Sequence, residues 1–258
     1  MATRSLRVTE AGARVYRRTW RASVISTFLN PVLFLLAMGV SLGTLVDDGG
    51  GSATIDIPYL TFLAPGLLAA TAMQTGAGDA SYPVMAGIKW RRTYHATLAT
   101  PISVADLVVG RLGWVTIRLL FVTGVYAAVM TLFGATTPLE AALAVPPAVL
   151  TGAAMAAMTT AYTANLKSEQ GLSALFRFAV LPLFLFSGTF FPISQLPDYL
   201  EPLAFATPLF HGVSLCRGLA LDDVAFEVSP AWSVAYLVVF AAIGTVLSIR
   251  VMRRRLVT

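Results

Sequence analysis

Apolar residues along this chain gather into long blocks, broken by short stretches rich in glycine, proline or charge. About 20 consecutive, mostly apolar residues are needed to cross the hydrocarbon core of a bilayer. Six blocks reach that length, at about 22–46, 58–79, 107–133, 140–163, 172–190 and 230–250, and each predicts a membrane-spanning helix. Asp47-Asp48-Gly49-Gly50-Gly51-Ser52 reads as a flexible acidic turn, and Gly134 with Pro138 as a tight one. The second block holds Pro65, Gly66, Gly76 and Gly78, which predicts a kink and close helix contacts. The fourth is rich in Ala, Gly, Met and Thr, the composition of an internal, tightly packed helix. The pattern predicts an all-α polytopic membrane protein, with residues 1–258 forming a single transmembrane domain.

Two segments depart from this pattern. Residues 1–21 place Leu6, Val8, Ala13, Val15, Tyr16 and Trp20 among six arginines, which suits an interfacial helix on the inner leaflet. A disordered basic tail is the alternative. An arginine-rich start followed by an apolar run also resembles a signal peptide. The run from Ala22 to Val46 is too long for one, and a retained helix is expected. Segment 191–229 is long and moderately apolar, and Pro192, Pro197, Pro202 and Pro208 divide it. Proline removes a backbone donor and blocks the preceding turn, so no single spanning helix fits. Leu203, Phe205, Leu209, Phe210, Val213 and Leu215 favour a re-entrant helical pair over a plain external loop.

Charge orients the whole. The 18 Lys and Arg residues lie at both termini and in the segments around 89–118 and 167–177, with Arg217 the exception. Asp47, Asp48, Asp56, Glu140, Asp198, Glu201, Asp222, Asp223 and Glu227 fall in the intervening segments. Basic residues favour the cytoplasmic side, so both termini are expected inside, in a bacterial inner membrane. Hydrophobic residues make up 57% and charged residues 12%, against roughly 25% charged in a soluble domain. The mean hydropathy is +0.75 and the isoelectric point near 9.7. Because the basic residues flank apolar spans, lipid headgroups explain them better than nucleic acid does, and no nucleic-acid partner is expected.

The chain's chemistry is sparse. Neither Lys89 nor Lys167 sits in a phosphate-binding loop, so the chain has no ATPase site of that kind. His95 and His211 stand far apart, with no carboxylate at metal-ligand spacing, and Cys216 is a single cysteine. No catalytic, cofactor-binding or metal-binding residue is expected. Ion-coupled carriers need ionisable groups near mid-membrane. Here Asp79 and Asp106 fall at inner span ends and Glu140 at an outer end, which disfavours a proton-driven carrier.

The polar inner segment from Gly87 to Ser103 is too patterned for a mere linker. A helix from about Arg91 to Ala99 would end before Pro101 and present Tyr94, His95 and Leu98 on one side. It suits docking into a groove on a soluble partner, or equally a basic loop lying on lipid. Leu98-Ala99-Thr100-Pro101-Ile102-Ser103, after an Arg-Arg pair, resembles the inner loop of ABC type-2 exporter permeases. So do Phe62-Leu63-Ala64-Pro65-Gly66-Leu67, Ser187-Gly188-Thr189-Phe190-Phe191-Pro192-Ile193, and Pro208 to Val213 followed by Arg217-Gly218. The likeness covers essentially the whole chain and is nearest to nodulation-factor and daunorubicin-type permeases.

That resemblance implies a transport subunit, not an enzyme, working as two permease copies with two ATP-binding-cassette ATPase subunits. ATP and magnesium would reside on those partners, with no cofactor in this chain. Residues 91–101 would form a coupling helix, with Arg91, Arg92, Tyr94, His95, Leu98, Thr100 and Pro101 meeting the ATPase, and Lys167 and Glu169 a second contact. Segment 191–219 would be the re-entrant pair capping the exit. Shorter, less aromatic outer segments than those of many glycan exporters favour drug-like or lipid-linked cargo over polysaccharide. Phe28, Phe34, Phe62, Met73, Gln74, Phe184 and Phe186 are candidates for lining the path of an amphipathic cargo, each with a lipid-facing or helix-packing alternative. A non-transporting scaffold or lipid-modifying complex subunit stands as the other class of reading.

Overall fold

A computed structural model describes residues 2–48, 57–197, 199–221 and 226–257. Among the described residues every regular element is a helix, with no strand. In chain order the α-helices are α1 (Ala2–Phe34), α2 (Leu42–Asp48), α3 (Tyr59–Ala80), α4 (Tyr82–Met85), α5 (Thr93–Leu98), α6 (Val104–Leu132) and α7 (Pro138–Asn165). They continue as α8 (Gln170–Leu175), α9 (Leu181–Phe186), α10 (Glu201–Phe205), α11 (Pro208–Ala220) and α12 (Pro230–Leu256). π-helical stretches at Leu35–Ser41 and Phe176–Val180 join neighbouring helices without a break, and a third at Ala86–Trp90 continues α4 and ends before α5.

Helix ends follow from local chemistry. Ser103 caps α6: its hydroxyl accepts from the Asp106 amide at 3.2 Å, and the Asp106 carboxylate accepts from the Ser103 amide at 3.2 Å. Thr137 and Glu140 form the same reciprocal box at α7, where Pro138 occupies the first turn without losing a needed donor. Gly188, at φ +79°, terminates α9 in a conformation that a side chain would disfavour.

Helix α7 is the hub. Its two faces receive α3 and α12, and α6 and α11 pack beside them. The small residues expected of an internal helix do the work. A Cβ on Gly76 of α3 would collide with the Gly152 carbonyl of α7, and one on Gly244 of α12 would meet the Met158 nitrogen at 2.7 Å. Backbones therefore touch directly, as in membrane helix pairs built on small residues. Ser248 strengthens the α12–α7 seam by donating to the Ala157 carbonyl at 2.9 Å.

Among the described residues four helices are long and apolar enough to cross a membrane: Thr27–Val46, Val104–Leu132, Pro138–Asn165 and Pro230–Leu256. Two of the six expected spans fall outside this set for different reasons. The fifth, expected over 172–190, is a helix only from Gln170 to Phe186, because Ser187-Gly188 ends it. The second, α3, is long enough, but its Pro, Gly, Thr and Gln content lowers its hydropathy. Most of α3 is buried against other helices, where a spanning segment needs no lipid-facing apolar surface. By contrast α12 exposes Val234, Val238, Val239, Ile243, Val246 and Leu247, a face that suits lipid.

The N-terminal segment also differs from expectation. No turn separates residues 1–21 from the first apolar block; one helix runs from Ala2 through the π turn to Asp48. Nothing between Thr19 and Ser26 is a glycine or proline that would stop it. At 1.5 Å per residue this rod is about 70 Å long, more than twice the hydrocarbon thickness. Its first half lies along α6: Thr9 donates to the Gly110 carbonyl at 2.8 Å, and Gly12 leaves space for the Trp114 ring. Of the acidic turn expected at Asp47–Ser52, Asp47 and Asp48 instead close α2, and residues 49–52 lie outside the described residues, as do Asp56, Asp198, Asp222 and Asp223.

Candidate functional site

The basic segments converge at one end of the bundle. A small apolar cluster there joins Val84, Ile88 and Tyr94 to Val104, Leu107 and Val108 of α6, Ala164 of α7 and Met252 of α12, with Val8 of α1 packed on it. Around this cluster stand Lys89, Arg91, Arg92, Lys167, Arg253, Arg254 and Arg255. Arg255 donates to the Ala164 carbonyl at 2.5 Å, a cation satisfying the end of α7.

Helix α5 is shorter than expected and begins only at Thr93, because Arg92 takes a left-handed backbone at φ 51°. That conformation is uncommon for a residue with a Cβ and costs of order 1–3 kcal/mol. It separates the π turn from α5 and turns the chain across the end of the bundle. Arg91, Arg92, His95, Thr100 and Pro101 are exposed there. Tyr94 and Leu98 are not on that face: Tyr94 is buried and Leu98 half-buried, and both anchor α5 from beneath. A Cβ on Gly87 would lie 2.6 Å from the Tyr94 ring, so the glycine provides the ring's seat. Burial pushes the Tyr94 phenol above its ordinary range, which Arg111 partly offsets.

The two polar loops are one surface. Lys89 Nζ donates to the Lys167 carbonyl at 2.7 Å, and Trp90 Nε1 donates to Glu169 Oε1 at 3.1 Å. Lys167 and Glu169, expected as a separate lesser contact, are thus tied to the α5 segment.

A second feature lies just inside this surface. Arg118 of α6 pairs with the Asp79 carboxylate, and Arg111 Nη2 donates to the Asp79 carbonyl at 3.1 Å. Asp79 sits near the C-terminus of α3, where a nearby cation is stabilising. The tie was missed from sequence, although Arg111 and Arg118 stand seven residues apart and so share a helix face.

The expected path residues divide. Phe34, Gln74 and Phe184 line one groove between the first helix, α3 and α9, with cavities of about 580 and 240 Å³. Phe34 and Phe184 meet edge to face at 6.2 Å, and Phe184 meets Phe190 at 4.9 Å. Phe28 and Phe186 are exposed and line neither cavity. Phe62 and Met73 stand in the core instead, 6% and 0% exposed, because α3 turns those faces toward its helix partners. The Phe176–Val180 π turn lines this groove through Phe176 and Val180, and the Leu35–Ser41 π turn begins directly after Phe34.

Arg217, the one basic residue outside the pattern, is an internal knot. Its Nε donates to the Phe62 carbonyl at 3.1 Å, and Nη2 donates to the Gly188 and Thr189 carbonyls at 2.8 and 3.0 Å. The guanidinium also stacks 3.6 Å from the Phe62 ring centroid. The Phe62–Leu67 and Ser187–Ile193 motifs are therefore two sides of one joint, with α11 supplying the pin. No cluster of three or more metal-ligating side chains occurs among the described residues.

These features define a polytopic helical membrane protein with several apolar helices and one exposed basic end. Residues 7–221 match the family model described as ABC-2 type transporter, and the chain belongs to that family. Its relatives include Nodulation protein J of Sinorhizobium fredii, 30% identical over 237 residues, covering 92% of this chain and 88% of that protein. Nodulation protein J of Rhizobium meliloti is 28% identical over 242 residues, 93% and 89% of the two chains. The inner membrane transport permease YadH of Escherichia coli is 22% identical over 228 residues, 87% and 86%. The chain is thus the permease type of subunit, and permeases of this family work with an ABC ATPase partner.

Proposed function

We propose that this chain is the membrane half of an ATP-driven exporter, assembled from two copies of itself and two cytoplasmic ATPase subunits. The observation that carries the reading is the joined surface of Arg91, Arg92, His95, Thr100, Lys167 and Glu169, held on the bundle by Tyr94. It is exposed, basic and rigidly seated, as a lever driven by a partner must be. In this reading the basic end faces the cytoplasm, in the inner membrane where a bacterial relative is named as a permease. Six crossings result if α3 spans as an inner helix shielded by its neighbours and α8–α9 as a short apolar helix with exposed Phe178, Leu181 and Phe186. The α10–α11 pair re-enters from outside. In support, Gly212, within α11, lies beside Thr151 at the middle of α7, and one turn later Cys216 meets the Ala144 carbonyl at 3.4 Å.

ATP and magnesium bind the partner subunits. Closure of these shifts α5, and because α4, α5 and the π turn are packed together, the displacement passes to α3 and α6. The groove at Phe34, Gln74 and Phe184 then opens outward for an amphipathic, drug-like or lipid-linked cargo, with the π turns as bending points.

The test is a double substitution, Arg92→Ala with His95→Ala, in vesicles reconstituted with the cognate ATPase. Cargo-stimulated hydrolysis and transport should separate, while insertion stays normal. Unaltered coupling would overturn the docking assignment.

A further inference from the structure

Beneath the docking surface is a cavity of about 650 Å³ between the first half of α1, the α4–α5 segment and α6. This lies within the roughly 300–1,000 Å³ range of ligand-sized clefts. Its polar wall carries Arg91, Arg111 and Arg118 against one carboxylate, Asp79. Arg118 already pairs with Asp79, and Arg111, whose hydrogen bond goes to the Asp79 backbone carbonyl, is a second cation beside that one carboxylate. Among the described residues Arg91 makes no ion pair. The wall is therefore left with unbalanced positive charge, and the Nε atoms of Arg111 and Arg118 are buried without a hydrogen-bond partner.

The rest of the wall is aromatic and aliphatic. Trp114 packs against Tyr16 at 5.7 Å between centroids, and the Arg118 guanidinium lies 5.7 Å over the Tyr16 ring. Tyr82, Trp90 and Val15 line the same cavity and are exposed at its rim. The part-buried Arg111 and Arg118 guanidiniums within, with exposed Arg91 and apolar groups at the rim, match a ligand with an anionic head and apolar tails. Arginines inside a membrane boundary favour phosphate, and basic pockets between helices on the cytoplasmic side take lipid headgroups.

We infer that this cavity holds the phosphate-bearing headgroup of an anionic phospholipid of the inner leaflet, which wedges between α1 and the α4–α5 lever. The lipid is a resident of the permease and not the exported cargo. The assignment rests on the inner-facing orientation proposed above. A soluble phosphate ester shares the headgroup's chemistry, and the experiment separates the two.

The full-length chain is prepared with Trp114 as its single tryptophan, by Trp20→Phe, Trp90→Phe and Trp232→Phe, and reconstituted in phosphatidylcholine vesicles. Quenching of Trp114 is compared for brominated phosphatidylglycerol and brominated phosphatidylcholine at equal content. The phosphatidylglycerol is expected to quench at least threefold more per mole. Adding Arg91→Gln and Arg111→Gln should bring the two lipids to parity, and Arg91→Gln alone, at an exposed position, should reduce the preference. Equal quenching in the parent protein overturns the inference, as does a preference that survives the double substitution. Millimolar glycerol 3-phosphate should leave the lipid quenching unchanged; abolishing it would assign the site to a soluble phosphate and overturn the lipid. No ATPase or cargo is present, so failure here leaves the exporter reading standing, and failure of ATPase coupling leaves this result standing.

Discussion

Replacing Gly76 with alanine should weaken the bundle, whereas the same change two residues later should not. The added Cβ at position 76 would collide with the Gly152 carbonyl oxygen and lie 2.9 Å from its carbon and 3.2 Å from the Gly152 Cα. Ordinary van der Waals contact begins near 3.4 Å. Every obstructing atom is helix backbone, so no rotamer can relieve the overlap and α3 must move away from α7. Overpacking of this kind costs about 1–3 kcal/mol. At Gly78 an added Cβ meets nothing within 4 Å and projects toward the cavity lined by Thr27, Thr75 and Arg118. Both positions lie in α3, so the gain in helix propensity, about 1 kcal/mol in water, cancels in the comparison. With roughly 2–4 °C per kcal/mol in chains near this size, the two midpoints should differ by about 2–12 °C. Cys216 supplies the assay: it is the one cysteine, fully buried between α11 and α7, and a thiol-reactive dye reports its release on heating. Equal midpoints for Gly76→Ala and Gly78→Ala, or a higher one for Gly76→Ala, would refute the direct backbone contact.

Three further outcomes follow from the same contacts. Arg217→Lys keeps the charge but loses the fork to Gly188 and Thr189 and the stacking on Phe62, and should lower stability by about 2–4 kcal/mol in the same dye assay; an unchanged midpoint contradicts the joint. A double-mutant cycle of Asp79→Asn and Arg118→Gln should give a coupling of at least about 1 kcal/mol, whereas additive losses would mean the pair contributes nothing. Tyr94→Ala should loosen α5 by about 3–5 kcal/mol and speed tryptic cleavage at Arg91 and Arg92, while Tyr94→Phe should resist cleavage as the parent does. Because burial raises the Tyr94 phenol, the protonated ring is the folded form; protection should hold below about pH 10 and fall as pH rises beyond it.

Helices were legible where one physical signal dominated. The length of the apolar blocks located α6, α7 and α12, and the Ala, Gly and Thr content of α7 marked it as internal before any contact was known. Hydropathy is a weaker guide for α3, since a helix enclosed by other helices is freed from the demand for apolar surface. The change of composition at residue 22 suggests a separate N-terminal helix, yet backbone continuity depends on breakers, and no glycine or proline stands between Thr19 and Ser26. At the basic end, the exposure of Arg92 and His95 agrees with a docking role. Tyr94 and Leu98, four residues apart, share the buried face of α5, and His95, a third of a turn away, is exposed. Phe62 and Met73 illustrate a limit: spacing locates an aromatic or Met on a helix but not the partner across from it. The Arg217 joint links positions 62, 188, 189 and 217, far apart in the chain, and only the fold brings them together.

The most direct test of a cytoplasmic, ATPase-binding handle is labelling at position 95. In a Cys216→Ala background, His95→Cys is treated with a membrane-impermeant maleimide in inside-out and right-side-out vesicles, with and without the ATPase subunit. Labelling is expected in inside-out vesicles alone, and bound ATPase should block it. Labelling from the outer side, or labelling that the ATPase leaves unchanged, would contradict a permease driven through that surface.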